Sequence, residues 1–210
     1  TLMLFFSHWG SAQVLDLEEE EEEGIVISDD KAPPRKFIVI AGVSDYQYIN
    51  KLRYCDDDAY RLYAYFKSRQ GGSLPDSQLK ILIDEAASKE NILRTMHKLF
   101  AKARPQDMLM FFFSGHGSQE GFCPVETSDY SSMILYEDVR EVFKKYPAKY
   151  KIVMADACYS GGISVPVNDN NGGSNSTTTD TEVALVMSSK PTEVSGEIGI
   201  ARQGTFSFYL

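Results

Sequence analysis

The chain has 210 residues, 43% of them hydrophobic, enough to close the core of one α/β domain without disulfide or metal staples. A formal net charge of −9 at pH 7 argues against a nucleic-acid or anionic-membrane partner, since both surfaces repel such a chain. Three cysteines at irregular spacing, with no C-x-x-C pair, build neither a disulfide framework nor a structural zinc site, so at least one thiol is free.

The first thirteen residues, TLMLFFSHWGSAQ, carry a short apolar run from Leu2 to Phe6 and then Gly10-Ser11-Ala12-Gln13. The pattern fits the tail of a secretory signal peptide cut near Ala12, and so an exported protein. A docked or disordered arm on a cytoplasmic protein is the alternative. No run approaches the ~20 apolar residues that span a bilayer. Residues 14–36 read as an acidic linker or pro-segment: Glu18 to Glu23 are all glutamate, and the two prolines of KAPPRK forbid regular structure. The expected organisation is an N-terminal segment at 1–36 and one domain at 37–210.

From Phe37 the texture changes. FIVIAGV (37–43) is a continuous apolar, β-branched run ending in glycine, the pattern of a strand buried on both faces. Leu52, Ala59, Leu62, Tyr63 and Phe66 recur at helical spacing, LKILID (79–84) is a second strand, and Ser88 is an expected N-cap for a helix over 88–103. DMLMFFF (107–113) is strand three, YEDVREVFKKY (136–146) an amphipathic helix, and YKIVMA (150–155) strand four. Residues 164–181 are polar, glycine-rich and aperiodic, hence a flexible loop; EVALVMSS (182–189) is a further strand. The last residues, GTFSFYL, break off inside an apolar run, which reads as an excerpt of a longer sequence. Strands alternating with helices predict a mainly parallel sheet covered by helices on both faces. Right-handed crossovers put the carboxyl ends of the strands on one rim, where ligand sites collect.

Two strands end in chemistry on that rim. FFFSGHGS (111–118) delivers His116, and IVMADACYSGG (152–162) delivers Cys158. A cysteine nucleophile needs its thiolate, and a neighbouring imidazole supplies it as base or as cationic partner. Taken singly, the cysteine reads as a small buried hydrophobe and the histidine as a surface or capping residue. Together, on consecutive rim loops with glycine flanks, they read as a dyad, with the N–H groups of Gly117 and Cys158 as an oxyanion hole. His8, His97 and Cys123 are weaker candidates, in a tail, on a helix, and in a strand or turn.

FFFSGHGSQ followed about forty residues later by DACYSGG resembles the paired signatures of the metacaspases and caspase-like cysteine peptidases, most closely the bacterial metacaspase-like, orthocaspase-type members. KFIVIAGVSDY, LRYCDDDAYRL and VMSSKPTEVSGE extend the similarity from Lys36 to the C-terminus. It implies a caspase-like three-layer sandwich, a His116/Cys158 endopeptidase dyad, and protein or peptide substrates. It also implies an acidic pocket for Arg or Lys made by Asp58 and Asp156, with Cys55 and Ser114 as its other walls. Two carboxylates suit a guanidinium, which they hold by charge-assisted hydrogen bonds, whereas Asp56 and Asp57 read equally as exposed charge at a helix N-terminus. The alternatives are Asp specificity, a catalytically silent binding or signalling module, and a transpeptidase using the same dyad.

Metacaspases also carry an acidic stretch that binds activating calcium. Here EGFCPVETSDYSS offers Glu120, Glu126 and Asp129, too few for a convergent oxygen cage, so no metal or cofactor is assigned. No Lys or Arg lies between Lys151 and Lys190, so the 164–181 loop is no target for a basic-specific enzyme. Lys31, Arg35 and Lys36, in an exposed proline-rich stretch, are the expected processing positions.

Overall fold

The computed structural model describes residues 32–157, 183–187, 197–198 and 203–204. The chain divides into two units, Thr1–Ala32 and Pro33–Leu210, and all that follows concerns the second. Cys158, the 164–181 loop and Lys31 lie outside the described residues.

The order of elements is β1 (Lys36–Gly42), α1 (Cys55–Lys67), β2 (Leu79–Ile83), α2 (Lys89–Phe100), β3 (Met108–Gly115), β4 (Gly121–Phe122), β5 (Ile134–Leu135), α3 (Tyr136–Lys145), β6 (Tyr150–Ala157), β7 (Val183–Met187), β8 (Glu197–Ile198) and β9 (Gln203–Gly204). Five strands form one sheet in the order β2-β1-β3-β6-β7, every pairing parallel. The apolar runs become its centre because a parallel sheet buries both faces. Phe37, Val39, Leu109, Phe111, Phe113 and Val153 pack on one face against Ile92, Met96 and Phe100 of α2 and Val139, Val142 and Phe143 of α3. Ile38, Ile40, Met110 and Phe112 face the other way, against Ala59, Leu62, Tyr63 and Phe66 of α1. The result is the expected three-layer α/β sandwich, with about 1.5–3 kcal/mol of transfer free energy favouring each large side chain so buried. Among the described residues no helix is long and apolar enough to cross a membrane.

Local signals place most boundaries. The Ser88 hydroxyl accepts the Asn91 amide and starts α2 where expected. The Leu135 amide donates to the Asp138 carboxylate at the start of α3. Three departures have physical causes. Helix α1 begins at Cys55, three residues after Leu52, because Ser44 caps it from across a loop: its Oγ accepts the amides of Cys55 at 3.1 Å and Asp56 at 3.2 Å. The β4–β5 pair, two residues a side, is too short to leave a periodic pattern. Arg35 and Lys36 are half-buried and tied down rather than on a free stretch: Lys36 pairs with Met108 as the first residue of β1, and Arg35 is clamped to Asp107 through its backbone amide at 2.8 Å and its guanidinium at 2.8 and 3.1 Å.

Candidate active site

The β3–β6 register pairs Ser114 with Asp156 and Gly115 with Ala157. His116 and Cys158 are therefore each the next residue past a paired position at the carboxyl rim. His116 is half-buried, and its Nε2 lies 2.7 Å from the carbonyl oxygen of Asn50. A carbonyl only accepts, so Nε2 carries the proton, and in the neutral ring Nδ1 is the basic nitrogen.

The backbone of His116 is held as well. Its N–H donates to the Tyr46 hydroxyl at 2.7 Å, and its carbonyl accepts the Cys123 amide at 3.0 Å. Gly115 is explained by close approach: a Cβ there would stand 2.5 Å from the Tyr46 hydroxyl oxygen and 2.9 Å from the Phe113 ring. The two flanking glycines thus serve different ends, since the His116 amide is occupied and turned toward the interior. Gly117 bridges Phe122, with the ladder bonds running from Ser118 N to Gly121 O and Cys123 N to His116 O. That is the non-hydrogen-bonded kind of antiparallel pair, so the Gly117 N–H is not used in the ladder.

Beside the histidine the sheet ends in a buried acidic corner. In-register neighbours of a parallel sheet project to the same face, so Ser114 and Asp156 share the face occupied by Met110, Phe112 and Met154, the face covered by α1. Asp58, in the first turn of α1, meets Ser114 there: the Ser114 Oγ donates to its Oδ2 at 3.0 Å. Asp58 is 2%, Ser114 1% and Asp156 5% exposed, and Cys55, three residues before Asp58, is 5% exposed. Gly42 at the end of β1 permits this approach, because a Cβ there would fall 2.5 Å from the Cys55 carbonyl oxygen and 2.7 Å from the Ala59 Cβ. The N-terminal end of α1 also favours the carboxylates in its first turn. Asp56 is half-buried rather than exposed and accepts the Ser44 hydroxyl at 2.8 Å.

Four groups around the site escaped the sequence reading. Tyr46 and Asn50 stand on one loop between β1 and α1. Ser44 and Asp84 hold that loop: the Asp84 Oδ1 accepts the amides of Ser44 at 2.7 Å and Asp45 at 2.8 Å, from a left-handed backbone with φ of 44° that aspartate tolerates better than most residues. Asn50 acts through its carbonyl, which every residue possesses, so no residue type announces it. Tyr46 carried a signal only in retrospect, as an aromatic after a strand end with a glycine opposite.

Two carboxylates of the acidic stretch after the histidine are engaged within the fold. The Asp129 carboxylate accepts the Ser131 hydroxyl and the Ser132 amide of its own turn, and Glu126 Oε1 accepts the Lys89 amide at the start of α2. Among the described residues no three His, Cys, Asp or Glu side chains are grouped to hold a metal ion.

Residues 35–210 match a family model described as Peptidase_C14, Caspase domain. The chain is similar to "Metacaspase-1" of Sclerotinia sclerotiorum, 32% identical over 115 residues that cover 51% of this chain and 26% of that protein. It is 28% identical to "Metacaspase-2" of Trypanosoma brucei brucei over 144 residues, 58% of this chain and 40% of that one. Its fold is like the crystal structure of protein GSU0716 from Geobacter sulfurreducens, with a TM-score of 0.60 and 13% identity over 83% of this chain and 80% of that chain. The chain therefore spans well under half the length of these curated relatives. With the family model matching far more than half of the sequence, and a parallel sheet that brings a rim histidine beside the position before Cys158, the chain belongs to the caspase-domain family of peptidases.

Proposed function

We propose that this chain is a cysteine endopeptidase that cleaves after Arg or Lys, with Cys158 as nucleophile and His116 as its acid–base partner. The observation that supports it best is the buried corner of Asp58, Ser114 and Asp156, on the strand ends that lead directly to His116 and Cys158. A guanidinium or ammonium entering that corner meets carboxylate acceptors at low dielectric, where charge-assisted bonds are strong. An aspartate side chain entering it meets like charge, which costs several kcal/mol.

With the substrate's basic side chain so held, the Cys158 thiolate attacks the scissile carbonyl carbon and its oxygen becomes an oxyanion facing the N–H groups of Gly117 and Cys158. Collapse breaks the C–N bond as the His116 imidazolium gives its Nδ1 proton to the leaving amine, producing a thioester. Water then loses a proton to Nδ1, attacks the thioester and releases the acid, and the thiolate returns. Throughout, Nε2–H stays on the Asn50 carbonyl, which orients the ring and supports the positive charge.

Three fluorogenic peptides that differ only in the residue before the cleaved bond, Arg, Lys or Asp, test this with wild type, Cys158→Ala and His116→Gln. The Arg and Lys peptides should be cleaved, and either substitution should lower kcat by about 10³-fold or more. Cleavage of the Asp peptide would overturn the pocket assignment; undiminished cleavage by either variant would overturn the dyad.

A further inference from the structure

We propose that Tyr46 is a positioning residue for His116, whose hydroxyl fixes the imidazole through the histidine backbone and through the loop that carries the Asn50 carbonyl. The inference rests on the reading of His116 as the acid–base group. The Tyr46 side chain is almost fully buried, yet its one polar atom is doubly engaged: it accepts the His116 amide at 2.7 Å and donates to the Cys123 carbonyl at 3.1 Å. Cys123 in turn donates its amide to the His116 carbonyl at 3.0 Å. Tyr46, His116 and Cys123 therefore close a ring of three hydrogen bonds, in which the phenol supplies the only side-chain atom.

The same loop grips the other end of the histidine. Asn50, four residues past Tyr46, holds Nε2 at 2.7 Å, and the Tyr46 ring lies against the imidazole with centroids 4.9 Å apart. The loop has its own anchors: Asp84 accepts two of its amides, Gln47 donates its amide to the Val125 carbonyl at 3.0 Å, and Leu52 donates its amide to the Ser44 carbonyl at 2.9 Å. Backbone and ring tip of His116 are thus fixed to one piece of chain, and Tyr46 is the post between them. Gly115 belongs to the device, because any side chain there would displace the hydroxyl. Burial, with Cys55 adding to it, pushes the phenol well above its usual range, so the hydroxyl keeps the proton it donates to Cys123 at every pH of interest.

Tyr46→Phe removes one oxygen and keeps the packing. With Nε2 no longer steered to Asn50, the ring loses its single tautomer and Nδ1 its aim, and a misplacement of an ångström costs on the order of a hundredfold in rate. The test is ¹⁵N NMR of histidine-labelled intact chain, with the His116 resonances assigned through His116→Gln, together with kcat and KM on the Arg peptide. Wild type should show His116 as the Nε2–H tautomer when neutral. Tyr46→Phe should show a mixture of tautomers and a kcat about 10- to 100-fold lower with KM unchanged. Gly115→Ala, which forces the hydroxyl away from the opposite side, should repeat the tautomer change. Tyr146→Phe, whose hydroxyl pairs with His97, should leave the His116 signals in place. An Nδ1–H tautomer in wild type would overturn the proposal even if Tyr46→Phe failed to fold. So would a folded Tyr46→Phe with unchanged tautomer and kcat. A wild type that cleaves no peptide sinks the peptidase reading alone, and the His116 tautomers then still decide the positioning role.

Discussion

Asp58 and Asp156 reach one corner from elements far apart in the chain, and the Ser114 hydroxyl already occupies Oδ2 of the first. If the corner receives a basic side chain, its charge matters more than its shape. Asp58→Asn keeps an oxygen for Ser114 and removes one negative charge, so KM for the Arg peptide should rise on the order of 10- to 100-fold while kcat changes little. Steady-state kinetics on the Arg and Lys peptides check this; an unchanged KM for both would place the substrate side chain elsewhere. At this scale the sequence was informative about residue types and silent about partners. SGHG and DAC displayed a histidine, a cysteine and an acid, whereas the Asn50 carbonyl and the Tyr46 hydroxyl appeared only once a loop had folded over the strand end.

Whole elements depend on a few buried contacts, among them those of Asp107. Its carboxylate is fully buried between the start of β1 and the turn before β3, and accepts from the backbone amides and guanidiniums of both Arg35 and Arg104. Burial by itself would raise its pKa, but those hydrogen bonds and charges hold it well below the usual carboxylate range. The folded-state pKa is thus below the unfolded one, and the unfolded chain binds more protons as the pH drops. The stabilisation is complete above about pH 4 and is lost progressively as the pH falls further. Thermal melts at descending pH should show this decline in wild type. Asp107→Asn should flatten it and destabilise the fold by about 2–4 kcal/mol at neutral pH. Helix α1 has a different dependence. Gly42→Ala drives a methyl into the Cys55 carbonyl, which should cost about 1–3 kcal/mol and, by lifting Asp58 off the sheet, raise KM for the Arg peptide more than it lowers kcat. A melt combined with the same peptide assay separates the two effects.

For the molecule as a whole, the hydrophobic runs were sufficient to anticipate a parallel sheet with helices on both faces, because a strand buried on two sides has no other stable setting. The same runs put on one rim the strand ends that precede His116 and Cys158 in the chain. Processing is a question at this scale, since it depends on what the fold leaves accessible. Arg35 and Lys36 are locked into the sheet and its Asp107 clamp, so a cut after Lys31 is the expected one. Mass spectrometry of wild type beside Cys158→Ala should find that cut only in the former, and identical N-termini would remove self-processing from the account. The sequence by itself determined the fold class, the strand ends that hold the candidate dyad and the acidic candidates, because burial patterns and residue types are local and written in order. Only the tertiary structure decided which of them meet: the Ser114–Asp58 bond joins residues 56 positions apart, and the His116–Asn50 bond spans 66 positions. Such contacts follow from strand register and loop closure, which depend on the packing of the whole sheet and leave no trace in any short stretch of chain.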